Sequence, residues 1–117
     1  MRYVDGYVLP VPKKKLKAYV RMAQMGEEVW RKHGALDYKE CIGDDLNTKW
    51  GSTFSRMMKL KPGETVVFSY VVFKSRAHRD RVNAKVMKEM AKAGMPKDMP
   101  FDAKRIVYGG FTVSVGA

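Results

Sequence analysis

The sequence is poor in the residues that cross-link or metallate small proteins. Cys41 is its one cysteine, which excludes an internal disulfide. A lone thiol suits a reducing compartment, so a cytoplasmic setting is expected. The two histidines, His33 and His78, have no partner at ligand spacing, and no HxxxH, CxxC or histidine–carboxylate facial set can be drawn. No metal and no cofactor are therefore expected. A Walker loop, a dinucleotide-binding glycine fingerprint and a nucleophile elbow are all missing. No apolar run approaches the roughly 20 residues of a membrane span. The longest, Val66 to Phe73, is strand-sized and contains Ser69 and Tyr70. The opening MRYVDGYVLPVPKKK does not read as a signal peptide, because Asp5 and Gly6 break its apolar stretch and the basic run follows that stretch. There is no internal repeat, linker or low-complexity block.

What is present is charge and alternation. The 117 residues fit one domain, 1–117, long enough to bury a core without disulfides. Twenty-three Lys and Arg against 12 Asp and Glu give a formal charge of +11. Such a charge favours solubility and speeds encounter with polyanions, but it does not fix the fold.

Apolar periodicity gives the order of elements. Tyr3 to Val11 alternates as a strand, with Tyr3, Asp5, Tyr7 and Leu9 on one face and Val4, Gly6 and Val8 on the other. Pro10 and Pro12 are expected to end it. Lys13 to His33 carries Leu16, Tyr19, Val20, Ala23, Val29 and Trp30 at helical spacing, with Gly34 placed as a C-cap and Gly26 able to admit a close neighbour. Leu36 to Ile42 reads as a second strand, and 44–63 as irregular, with a short helix within Thr53 to Leu60 and a turn at Pro62-Gly63. Thr65 to Phe73 is apolar on both faces, as in a strand covered on both sides. Ser75 is an N-cap for a helix from Arg76 to Ala93, closed by Gly94. Lys104 to Val115 is the last strand, with Gly109-Gly110 marking a bulge or a close backbone approach.

This order is βαββαβ, the ferredoxin-like arrangement of the α+β class, with two helices on one face of a four-stranded antiparallel sheet. Two helices cover one face of the Thr65–Phe73 strand. A second copy of the sheet would cover the other, giving a homodimer. The competing arrangement is a monomer in which the 44–63 segment folds over that face.

The stretches YVDGYVLPVPKKK (Tyr3 to Lys15), HGAL with ECIGDD (within His33 to Asp45), ETVVFSYVVFKSRAHRDRVNAKVM (Glu64 to Met87) and MPFDAKRIVYGGF (Met99 to Phe111) resemble the YbaA-like family, bacterial domains of unknown function. The resemblance implies membership of the dimeric α/β-barrel superfamily, in which two ferredoxin-like protomers face their sheets together. It implies no reaction and carries over no catalytic residue.

Asp5 is the sharpest candidate for chemistry. An acid in mid-strand is disfavoured, and a desolvated carboxylate suits a general base. On that reading Asp5→Asn spares folding and weakens ligand binding. The competing reading is a structural carboxylate paired with an Arg, a Tyr or a backbone N–H. Tyr7, Ser69, Tyr70, Arg105 and Tyr108 are candidates for the polar groups of an otherwise apolar small-molecule site, set against ordinary sheet packing. Cys41 reads as a small buried hydrophobe. The functional expectation is binding, or turnover, of a small organic molecule between sheet and helices. The alternative is binding of nucleic acid or another polyanion through the basic segments Lys13–Lys17, Arg56–Lys61, Lys74–Arg81 and Lys85–Lys92.

Overall fold

A computed structural model of the chain describes residues 1–94 and 96–116. It is an α+β structure. Strand β1 (Tyr3–Pro12) leads through a 3₁₀ turn to helix α1 (Leu16–Lys32) and strand β2 (Asp37–Ile42). Short helix α2 (Phe54–Met57) precedes β3 (Glu64–Phe73), helix α3 (Arg76–Ala93) and β4 (Val107–Thr112). The four strands lie in the order β2-β3-β1-β4, and every neighbouring pair is antiparallel. This is the strand order expected of a ferredoxin-like βαββαβ chain.

Helices α1 and α3 share one face of the sheet. Tyr3, Val71 and Phe73 pack with Val82 and Val86 of α3, and Leu9, Val11 and Val67 with Tyr19 and Ala23 of α1. The apolar core is therefore in two clusters rather than one. Local signals set the ends of the helices. The Ser75 hydroxyl accepts from the His78 N–H and starts α3, and Gly94, at φ +80°, stops it. Gly26 is buried in α1, and a Cβ there would sit 3.0 Å from the Tyr38 hydroxyl, so its lack of a side chain lets β2 approach the helix.

Several boundaries differ from the periodicity. β1 runs through Pro10 to Pro12 instead of stopping there. β4 pairs with β1 only as far as Val8, so beyond it the prolines need satisfy a ladder on one side only. Lys13–Lys15 forms the 3₁₀ turn, not the first turn of α1. Lys104 and Arg105 form another 3₁₀ turn, with the Asp102 carboxylate accepting from the Lys104 N–H, and β4 starts only at Val107. The pairing of β1 with β4 is continuous from Tyr3 to Val8, so Gly109-Gly110 is no bulge. It is a close approach: a side chain at Gly110 would run into the Tyr3 ring. Cys41 is exposed instead of buried.

The sheet face away from the helices is only partly covered. Segment 44–63 lies over one end, where Leu46 and Phe54 line a small hollow together with Cys41, Val66 and Phe68. Beyond it Phe68, Val107 and Phe111 remain 43%, 54% and 62% exposed. The second face of β3 is thus not covered within the chain along its whole length.

Candidate functional site

The register places four polar side chains in a line across the helix-bearing face. Glu40 of β2 stands opposite Ser69 of β3, Ser69 opposite Tyr7 of β1, and Tyr7 opposite Tyr108 of β4. This row runs between the two apolar clusters. Asp5 lies one pleat along β1, opposite Val71 and Gly110. Tyr7, Ser69, Tyr108 and Asp5, all singled out from the sequence, therefore share one region of the fold.

Two of the other candidates do not join it. Tyr70 points to the opposite face of the sheet, because alternate residues of β3 alternate in direction. Arg105 sits in its 3₁₀ turn, where its guanidinium donates to both Glu64 oxygens at 2.6 and 3.0 Å and to the carbonyls of Met58 and Lys59. It ties the start of β3 to the end of segment 44–63. His33 contacts Glu89 at 2.8 Å, and His78 Nδ1 accepts from the Lys74 N–H.

Asp5 is 3% exposed, and both its oxygens are engaged. Arg79 Nη1 donates to Oδ1 at 2.8 Å and Asn83 Nδ2 to Oδ2 at 3.0 Å. Asn83 in turn accepts from the Trp30 indole at 3.0 Å, and the Arg79 guanidinium lies 4.9 Å from the centre of the Tyr3 ring. The network links β1, α1 and α3 through a carboxylate that faces the helices.

The β2 end of the row is where it opens. Tyr19 of α1 donates to Glu40 Oε1 at 2.8 Å, and Tyr38 donates to Oε2 at 2.7 Å. Around them lies a groove of about 380 Å³, whose walls include Ala23, Gln24 and Ile42. Burial and then the Glu40 carboxylate push both phenols far above the usual tyrosine range. Tyr7 is pushed up to about 12, by burial first and then by Asp5. Its ring stacks on Tyr108 at 5.8 Å. At neutral pH these phenols are hydrogen-bond donors and acceptors, not bases. Glu40, Tyr19 and Tyr38 escaped the sequence reading. Tyr19 was seen there only as part of a helical stripe, and only the register brings the three together.

A family model described as "Protein of unknown function (DUF1428)" matches residues 2–103. The chain belongs to this family. It is 38% identical over 111 residues to "Uncharacterized protein YbaA" of Escherichia coli K12, covering 95% of each chain. The protein of the same name from Shigella flexneri matches equally, at 38% over 95% of each. These relatives are those of the resemblance seen in the sequence, and the family match takes in β1, all three helices, β2, β3 and the polar row except Tyr108. Among solved structures, "De novo designed protein Foldit4" aligns over 97% of this chain and 99% of its own, at 11% identity and TM-score 0.47. That likeness is too slight to carry an argument.

Proposed function

We propose that this member of the family binds a small organic molecule in the groove between α1 and β2, and that it does so as a homodimer. The observation that carries the reading is the Tyr19–Glu40–Tyr38 cluster at the open end of the polar row. Each Glu40 oxygen already accepts one phenolic O–H, at 2.8 and 2.7 Å. A carboxylate has roughly four lone-pair sites, and each phenol oxygen can also accept, so what this cluster leaves on offer is acceptors, with N–H donors only from Gln24 and Lys39 on the groove walls. The complementary ligand brings N–H or O–H donors, as an amine or a polyol does, with an apolar body against Ala23 and Ile42.

Trp30 gives the readout, because its ring lies 5.8 Å from that of Tyr38. The chain has two tryptophans, and Trp50 is 91% exposed. In a Trp50→Phe background, titration with a panel of amines and polyols should produce a saturable change in Trp30 emission, abolished by Glu40→Ala. No response across the panel, or an unchanged response in Glu40→Ala, overturns the reading.

The dimer rests on the uncovered sheet face. Val4, Val8, Phe68, Val72, Val107 and Phe111 lie on it, and only its Val66 end meets segment 44–63. The shortest extent of the molecule is 20 Å, the thickness of a sheet with one layer of helices. A second copy supplies the missing layer and removes apolar surface from water at about 25 cal/mol per Å² before the costs of association. Sedimentation equilibrium should give twice the chain mass, and Phe68→Arg with Phe111→Arg should give the monomer. A wild-type monomer at micromolar concentration defeats the dimer.

A further inference from the structure

The positive charge is not spread evenly. Helix α3 runs from Arg76 to Ala93, and Arg81, Lys85, Lys88 and Lys92 recur along it at intervals of four, three and four residues. At 100° per residue they fall within an arc of about 60°, and they span about 16 Å of helix axis. All four are exposed, and among the described residues none is in an ion pair. The buried side of the helix lies about a third of a turn away, where Val82 and Val86 enter the core.

The acids that would neutralise such a stripe are occupied. α3 has two, Asp80 and Glu89. Asp80 is held by Arg79 at 2.8 Å. Glu89 is held by Lys32 at 2.9 Å and by His33 at 2.8 Å, both from the end of α1. The resulting field is felt by a neighbour: His78 is held below the usual histidine range, by burial first and then by Lys74, Arg81 and Lys85.

We infer that the Arg81–Lys85–Lys88–Lys92 face of α3 is a docking surface for the phosphate backbone of duplex nucleic acid, without base readout. The chemistry between the cations decides among polyanions. Within its span Ala84 and Ala91 flank the stripe on one side, and the already paired Glu89 flanks it on the other. No aromatic ring is there to stack on an unpaired base, as single-strand sites require. No bulky apolar side chain is there to enter a lipid interface. Nor is there a Trp or Tyr to anchor a protein partner. What remains is a row of point charges, which fixes position along a backbone and carries no sequence information. The surface lies on the helical side of the sheet, so it stays free when the opposite face is covered by a second copy.

The test is fluorescence anisotropy of labelled duplexes of two unrelated sequences, titrated across a salt series. Neutralising about four phosphates predicts a slope of log K against log salt near −3.6, with equal affinity for both sequences. The Lys85→Gln, Lys88→Gln, Lys92→Gln triple variant leaves the buried side of α3 untouched and should lower the slope by about 2.7, which at 0.1 M salt is a loss of roughly five-hundredfold. A circular dichroism spectrum identical to wild type secures that comparison. No duplex binding at 20 mM salt overturns the inference. So does a triple variant with the wild-type slope, which would put binding elsewhere on the chain. Binding to anionic phospholipid vesicles or to poly-glutamate at least as tight as to duplex also overturns it.

Discussion

The Arg79 guanidinium reaches from α3 to the middle of β1 and donates to Asp5 at 2.8 Å, the Asp5 side chain being 4% exposed and that of Arg79 20%. A charge so placed is tolerable only with its partner, and removing one member leaves the other desolvated and unpaired. Asp5→Asn should therefore lower the unfolding free energy by about 3 kcal/mol, and Arg79→Met by a similar amount. The double variant should be clearly less destabilised than the sum of the two. Urea unfolding of the four proteins gives the coupling energy. On the general-base reading Asp5→Asn spares folding; the Arg79 pair instead fits the competing reading of a structural carboxylate.

Gly110 and Tyr3 form a second interlocking pair. A Cβ on Gly110 would overlap the Tyr3 ring, which is 8% exposed and part of the core. Gly110→Ala should cost about 1–3 kcal/mol through overpacking. In a Tyr3→Ala background the same change should cost much less, since the obstructing ring is gone. Equal costs in both backgrounds would mean that β4 shifts freely.

Alkaline titration reads the polar row. Three of the six tyrosines, Tyr7, Tyr19 and Tyr38, are held above the ordinary value of 10. A raised phenol contributes stability in full below its unfolded pKa and loses it as pH rises through the folded one. For Tyr7 that window runs from pH 10 to about 12. Absorbance at phenolate wavelengths should rise in two stages, with about half the amplitude delayed until the protein unfolds. Glu40→Gln should bring part of the delayed fraction earlier.

The acid limb has a different owner. Arg105 hydrogen-bonds Glu64 and holds its carboxyl below the ordinary 4.5, assisted by the Lys61 N–H. A depressed carboxyl contributes stability in full above its unfolded pKa and loses it as pH falls through the folded one. The fall in urea midpoint between pH 5 and pH 3 should be smaller in Glu64→Gln than in wild type. An equal fall in both would assign the acid sensitivity to other groups.

Much of the architecture was legible because it rests on local rules. Alternation in Tyr3–Val11 and Thr65–Phe73, the Ser75 cap, the Gly94 stop and the open spine at Gly26 are each written within a few residues. Element ends were less legible. Pro10 is a strand breaker only if both neighbours need its N–H, and the sequence does not say how far β4 extends. The site was legible in part. Asp5, Tyr7, Ser69 and Tyr108 could be named from their residue types. Glu40 stands 29 positions from Ser69, its partner in the register, and Arg79 and Asn83 stand 74 and 78 positions from Asp5, and such meetings depend on register and helix placement. Arg105 was misplaced for the same reason, since a turn at Ala103–Arg105 rotates it out of the strand pattern.

The position of β1 in the sheet also bears on how the chain is made. β1 precedes every other element, yet its neighbours in the sheet are β3 and β4, which begin at Glu64 and Val107. On a translating ribosome its backbone waits on the order of seconds for a partner. During that wait an uninterrupted β-branched run would be a nucleus for association between nascent chains. Asp5, Gly6 and Pro10 interrupt it. The carboxylate that later joins β1 to α3 thus also acts as a gatekeeper before either helix has docked.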